Sequence, residues 1–174
     1  MKTNTSKLTF SAVVAAAVIA LIYITTLIDT MQLAAAVIST FAVMLTLKIC
    51  GRKVAAMHCT VVSVLLFMIL PNKFFAVLYA VFFGFYAIAK SLIEQKNNLK
   101  VEWFLKIAYF LAASALIFTV FKFFAAESIV ITNHLYMALY FLAVLIMAVY
   151  DIFLSFFSSQ LFIITDKYLK NIKK

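Results

Sequence analysis

Residues 8–28 read LTFSAVVAAAVIALIYITTLI, and not one of these side chains is charged. About 20 apolar residues in a row are the length of an α-helix that crosses a bilayer. The apolar core of a secretory signal sequence is only about 7–15 residues long, so we expect this run to be kept as a membrane span. The whole chain is 67% hydrophobic and 12% charged, whereas a soluble domain is about 45–50% apolar and about 25% charged.

Five more apolar runs follow the first, and short polar links separate them. Gly51 is typical of a helix C-terminus and marks the end of the second run. The basic pair Arg52 and Lys53 is expected to lie at the lipid headgroups. Pro71 interrupts the chain after the third run. We therefore predict an all-α, polytopic membrane protein whose single domain is a six-transmembrane-helix bundle. Its predicted spans are about 8–28, 31–50, 54–70, 74–92, 103–125 and 134–164.

The positive charges predict the direction of this threading. Of the fifteen Lys and Arg residues, thirteen fall on one side of the membrane, and only Lys73 and Lys122 fall on the other. Because cytoplasmic loops retain positive charge, we expect both the N- and the C-terminus to be cytoplasmic. The net charge of +9 then reflects topology and anionic lipid headgroups, and does not indicate nucleic acid. Fourteen lysines against one arginine favour a bacterial plasma membrane as the location.

A strip of small side chains on the first span is the strongest local pattern. Ala12, Ala16 and Ala20 are spaced by four residues, so they share one face of a helix. Small residues allow another membrane helix to approach closely. Two interpretations stay open, namely packing inside the bundle and docking of a separate membrane subunit.

Polar side chains on the side of the membrane that carries few basic residues form a second candidate site. They would frame an extracytoplasmic pocket for a small polar solute, and solvation of the loops is the alternative interpretation. The predicted substrate-binding residues are Asp29, Gln32, Lys73, Lys122, Glu127, Asn133 and His134.

Asp151 is the one acidic residue deep within an apolar run. Intramembrane carboxylates are costly, so a functional role is the default hypothesis. At 1.5 Å per residue, Asp151 lies about 27 Å along a helix that begins after Asn133, near the inner boundary. The alternative is thus a carboxylate that faces water or a cytoplasmic lysine. The run itself measures about 45 Å as a helix, so we expect it to tilt strongly or to extend past the membrane.

Signatures of catalysis and metal binding are absent from the sequence. There is no H-E-x-x-H, G-x-S-x-G or P-loop motif. His58 and His134 have no second ligand at metal-binding spacing. We therefore predict no catalytic residues, no metal and no cofactor, and active pumping would need partner ATPases.

The chain resembles the S-components of energy-coupling factor (ECF) transporters, which are their substrate-binding membrane subunits. The resemblance covers the six-span topology with both ends inside, and the sequence from Lys7 to Phe10 before Ala12-x-x-x-Ala16. The chain is also similar to uncharacterised membrane proteins of Firmicutes that are predicted to share this fold. That similarity rests on residues 70–73, on Tyr79 with residues 82–86 and Lys90, and on Tyr150-Asp151.

These resemblances imply a bundle that binds a small vitamin-like solute from outside. They also imply docking through the first helix onto a transmembrane coupling subunit that two cytoplasmic ATPases drive. Two other interpretations stay open: a non-transporting scaffold or assembly subunit of a larger membrane complex, and an intramembrane enzyme subunit that uses Asp151.

Overall fold

The computed structural model describes residues 4–26, 28, 31–96, 98–124 and 133–172, and their side chains except those of residues 123, 124, 133–136 and 161–172. Within these ranges the structure is all-helical, and six helices are long and apolar enough to cross a membrane. This confirms the predicted helical class and the prediction of six helices long enough to be spans. The helices are α1 (Asn4–Thr25), α2 (Gln32–Cys50), α3 (Arg52–Ile69), α4 (Lys73–Lys96), α5 (Leu99–Phe124) and α6 (Asn133–Ile172).

Short links turn the chain at both ends of the bundle. Gly51 alone joins α2 to α3, and its φ of 90° is a conformation that glycine adopts without strain. We call this the basic end; α1 also begins here, since the Cys50 thiol donates to the carbonyl of Lys7 at 3.4 Å. We call the opposite end, where Leu70, Pro71 and Asn72 join α3 to α4, the Pro71 end.

The first three helices pack against one another, and α4 lies against α2, α3 and α5. The last helix packs mainly on α5 and also reaches α2. Small side chains bring helices together in the first group, because Ala15 of α1 and Ala35 and Ala36 of α2 are buried. Large rings fill the space around α4, where Tyr79, Tyr86 and Phe110 are completely buried.

A π-helical segment, Tyr79–Gly84, interrupts α4 between the α-helical stretches Lys73–Leu78 and Phe85–Ile93. A π-helix changes the usual pattern of backbone hydrogen bonds and is often found at functional sites. Three neighbouring helices donate side-chain hydrogen bonds to its carbonyls. The Tyr109 hydroxyl binds Val81 O at 2.7 Å, the Thr40 hydroxyl binds Phe83 O at 3.2 Å, and the Cys59 thiol binds Gly84 O at 3.4 Å.

The sixth helix is 40 residues long and has no break between Asn133 and Ile172. At 1.5 Å per residue it measures about 60 Å, about twice the thickness of a hydrocarbon core. Its segment Met137–Gln160 is long and apolar enough to cross a membrane, and twelve further helical residues follow Gln160.

Candidate functional site

The Pro71 end contains a cavity of about 530 Å³, a volume typical of small-molecule sites. It lies between the end of α1, the start of α2 and the link from α3 to α4. The residues that line it are Thr26, Gln32, Leu70, Pro71, Asn72 and Phe75.

Among the described residues, the polar side chains that line this cavity carry two carboxamides and a hydroxyl. Gln32, the first residue of α2, is half-buried. Asn72 caps α4, because its Oδ1 accepts from the backbone N–H of Phe75 at 3.2 Å, and this bond leaves the amide N–H donors of Asn72 for other partners. Thr26 donates its hydroxyl to the carbonyl of Tyr23 at 2.6 Å and keeps the capacity to accept.

The apolar walls of the cavity continue into the core. Leu70 is 1% exposed and Phe75 is 6% exposed. Tyr79 lies one helical turn below Phe75, since its N–H donates to the Phe75 carbonyl. The hydroxyl of Tyr79 is buried and has no hydrogen-bond partner among the described residues.

Of the predicted substrate-binding residues, Gln32 lines the cavity and Lys73 does not. The ammonium of Lys73 donates instead to the carbonyls of Phe67 (2.8 Å), Met68 (3.2 Å) and Leu70 (2.8 Å). Lys73 therefore satisfies the carbonyls that the end of α3 leaves without partners.

Of the other predicted residues of this set, only Lys122 has a described side chain. Lys122 is exposed near the end of α5 and is not among the residues that line the cavity. Asp29 and Glu127 lie outside the described residues, as do the side chains of Asn133 and His134, which begin α6.

The alanine strip faces away from the bundle. Ala12, Ala16 and Ala20 are all exposed, whereas Ala15 and Ile22, on another face of α1, are buried. Packing among the residues that the structure describes therefore does not account for the strip. An apolar groove of about 260 Å³ runs beside it between α1 and α2.

Asp151 is the centre of a buried ionic cluster at the basic end. It is 2% exposed, and it lies between Lys90 of α4 and Lys106 of α5, which are 2% and 3% exposed. Its Oδ1 accepts from the Lys90 ammonium and from the Tyr86 hydroxyl, the latter at 2.5 Å. Its Oδ2 lies 2.8 Å from the Lys106 ammonium. Three helices are thus joined through one carboxylate.

Further oxygens complete the surroundings of the two lysines. The ammonium of Lys90 also lies 2.8 Å from Glu94 and 2.6 Å from the Ser155 hydroxyl. The ammonium of Lys106 lies 2.7 Å from Glu102 and 3.2 Å from Glu94. With Asp151 included, the Lys106 ammonium has three acceptors for its three N–H donors, and the Lys90 ammonium has four acceptor oxygens, since the backbone carbonyl of Asp151 also lies 3.3 Å away. The cluster reaches the surface at Glu94, whose side chain is 40% exposed.

In this arrangement Asp151 is paired with two lysines inside the bundle and does not face water. A satisfied buried ion pair fixes the relative rotation and depth of the helices that carry it, although it adds little net stability. Lys90 and Lys106 were counted among the cytoplasmic charges, and their pairing with Asp151 was not predicted. The i, i+4 spacing of Lys90 with Glu94 and of Glu102 with Lys106 indicates ion pairs within each helix, but it does not indicate Asp151 as their shared partner.

His58 is a helix-joining residue in the structure. It is buried, and its Nδ1 lies 3.2 Å from the carbonyl of Ser11, which links α3 to α1. In the part of the chain that the structure describes, no group of three His, Cys, Asp or Glu residues forms an arrangement that could hold a metal ion.

No protein-family model, no curated protein and no solved structure matches this chain. The geometry of the chain itself is therefore the basis for interpreting its sites.

Proposed function

We propose that this protein is an S-component-like subunit of a bacterial membrane transporter, which binds a small solute at the Pro71 end and docks on a transmembrane coupling subunit. The observation that carries the proposal is the cavity of about 530 Å³ lined by Gln32, Asn72 and Phe75. It combines polar groups with apolar walls, which is the usual composition of a small-molecule site. Several helices contribute to it, so that solute binding is coupled to the arrangement of the bundle.

In this proposal the basic end faces the cytoplasm and the Pro71 end faces outside. The excess of Lys and Arg at the basic end supports this orientation, since such residues are retained on the cytoplasmic side. The solute then enters from outside, and the two ATPases act from the side where Glu94 and the end of α6 lie.

Docking is assigned to the alanine strip of α1. Exposed Ala12, Ala16 and Ala20 present a flat helix face that another membrane helix can approach closely. The same exposure favours one second candidate, a non-transporting scaffold or assembly subunit, because such a protein also needs a permanent membrane partner.

The test is to purify the tagged full-length protein from its native membranes and to identify its partners by quantitative mass spectrometry. Stoichiometric recovery of one membrane subunit and two ATPases, together with saturable solute binding, is the result we expect. Recovery of cell-wall or other complex subunits without ATPases would favour the scaffold. Saturable binding that Gln32→Ala abolishes would identify the cavity as the solute site, and Ala112→Leu on the exposed surface of α5 is the matched control.

A further inference from the structure

We infer that a groove at the basic end, between the starts of α1 and α3, is a binding site for an anionic phospholipid. The phosphate of the lipid lies against Lys7 and Arg52, and its acyl chains lie against Leu8 and Met57. We call this the basic groove. The inference goes beyond the proposed transport function and needs no solute at the Pro71 end; it requires only that the chain lies in a membrane.

The basic groove forms where three helices end together. Its volume is about 420 Å³, within the range of small-molecule sites. The Cys50 thiol donates to the carbonyl of Lys7 at 3.4 Å, which joins the end of α2 to the start of α1. Gly51 then leads directly into α3 at Arg52. Residues that are distant in the sequence therefore line one groove.

Three basic side chains line the groove, namely Lys7, Arg52 and Lys53. Lys7 is half-buried, whereas Arg52 and Lys53 are exposed, so the groove is open to a ligand. The planar guanidinium of an arginine matches the geometry of a phosphate, and lysine binds phosphate as a point charge. Basic pockets between membrane helices on the cytoplasmic side are typical sites for phospholipid headgroups.

No carboxylate with a described side chain neutralises these charges. The acidic residues whose side chains the structure describes are Glu94, Glu102 and Asp151. All three belong to the buried ionic cluster around Asp151, where they bind the two buried lysines. The described part of the chain therefore leaves the basic groove with its positive charges and without an acidic partner.

The remaining acidic residues do not change the sign of the surroundings. Asp29 and Glu127 are predicted to lie on the other side of the membrane, where basic residues are few. Asp166 is followed by four lysines in the last eight residues of the chain. The three residues before Asn4 add Lys2 and no acid. The sequence around the groove is therefore basic outside the described residues as well.

The apolar side chains of the groove favour a lipid over a soluble phosphate. Leu8 is 50% exposed and Met57 is 60% exposed, and both line the groove beside the basic groups. A soluble anion would leave these side chains in water, whereas an acyl chain covers them and removes apolar surface from water. The groove also lies at the ends of three helices that are long and apolar enough to cross a membrane. Headgroups meet hydrocarbon at that level of a bilayer.

The experiment compares matched ligands on the full-length protein in detergent, with native mass spectrometry to count bound molecules during a titration. Dioleoylphosphatidylglycerol and dioleoylphosphatidylcholine share their chains and a phosphate, but only the first has a net negative charge. Glycerol 1-phosphate supplies the phosphate without the chains. We expect phosphatidylglycerol to bind at least about tenfold more tightly than phosphatidylcholine, a difference of one decade in Kd. Glycerol 1-phosphate should not bind in the same concentration range.

Paired substitutions test whether the basic groove is the site. Lys7→Gln combined with Arg52→Gln should lower the affinity for phosphatidylglycerol to that for phosphatidylcholine. The matched control is Lys96→Gln combined with Lys100→Gln, which removes two exposed lysines outside the groove and should leave the affinity unchanged. Lys7→Arg combined with Arg52→Lys keeps both charges and should keep the preference, which separates loss of charge from loss of folding.

Three results would overturn the inference. Equal affinity for the two lipids would mean that the protein binds acyl chains without reading the headgroup. An equal loss of affinity in the matched control would mean that binding follows the total charge of the protein. Binding of glycerol 1-phosphate as tightly as the lipid would make the groove a site for a soluble anion. The solute-binding test at the Pro71 end is separate, so failure here leaves the proposed function standing.

Discussion

The ammonium of Lys106 lies 2.8 Å from Oδ2 of Asp151, and both side chains are buried. Helices in a bilayer have apolar surfaces that can slide and rotate against one another with little change in hydrophobic burial. A directional contact between α5 and α6 removes that freedom. The Lys90 contact to the other carboxylate oxygen adds α4 to the same fixed point.

Replacement of Asp151 by Leu should destabilise the bundle strongly. The change leaves two buried ammonium groups without their central counter-charge, and breaking a buried ion pair on one side costs about 3–5 kcal/mol. The measurement is reversible unfolding in mixed detergent micelles. The triple variant Asp151→Leu, Lys90→Met, Lys106→Met should recover most of this loss, since apolar side chains can replace a buried ion cluster. Wild-type stability in the single variant would show that the cluster is not formed.

Replacement of Lys73 by Met should destabilise the end of α3 without weakening solute binding. Its ammonium donates to three carbonyls there, and a typical intramolecular hydrogen bond contributes about 0.5–1.5 kcal/mol net. Unfolding and solute binding are measured on the same preparation. Lys53→Met, which removes an exposed lysine at the basic end, is the control. A large loss of affinity at unchanged stability would make Lys73 a solute ligand after all.

The two glycines should respond differently to alanine. Gly84 has an ordinary helical φ of −74°, and a Cβ there would lie 3.7 Å from Tyr79 Cε1, an ordinary contact. Gly84→Ala should therefore be neutral or stabilise by up to about 1 kcal/mol. Gly51→Ala should be destabilising, because the φ of 90° at this position strains any residue with a Cβ. The same micelle unfolding assay tests both, and equal effects would contradict the assignment of the turn.

Neighbouring alanines on α1 should separate docking from packing. Ala16 is exposed and Ala15 is 7% exposed. We expect Ala16→Leu to abolish partner recovery with unchanged stability of the isolated protein. Ala15→Leu should lower that stability by about 1–3 kcal/mol through overpacking. If Ala16→Leu destabilises the isolated chain to the same extent, the strip is an internal surface.

The orientation is testable with single cysteines in a background where Cys50 and Cys59 are replaced by Ser and Ala. We expect Asn72→Cys to react with a membrane-impermeant maleimide added to intact cells, and Lys96→Cys to react only after the cells are opened. Both positions are exposed in the structure, so burial does not explain a difference between them. The reverse pattern would invert the threading and with it the side from which a solute arrives.

The number and class of the helices were predictable because span length and hydropathy are local properties of the sequence. The partners of Asp151 were not, since Lys90 lies 61 positions away and a lysine near a span end has the same sequence signature whether it faces headgroups or a buried carboxylate. The role of Lys73 could not be predicted for a similar reason. A lysine on the side of the membrane with few charges suggested a group that binds the solute, whereas its hydrogen-bond acceptors in the structure are backbone carbonyls. Nothing in the composition of residues 79–84 predicts a π-helix, whose carbonyls accept side-chain hydrogen bonds from three other helices.

The π-helical segment of α4 changes the direction in which the side chains after it point. One residue of an α-helix corresponds to a rotation of about 100°, so a segment wound more widely turns everything after it relative to everything before it. Phe75 precedes the segment and lines the cavity, while Lys90 follows it and binds Asp151. Deleting one residue from Tyr79–Gly84 would restore a uniform winding and swing Lys90 out of line with its carboxylate. The wider winding therefore sets the rotation of the second part of α4 relative to the first. A single helix can then present Phe75 to the cavity and Lys90 to Asp151, at opposite ends of the bundle.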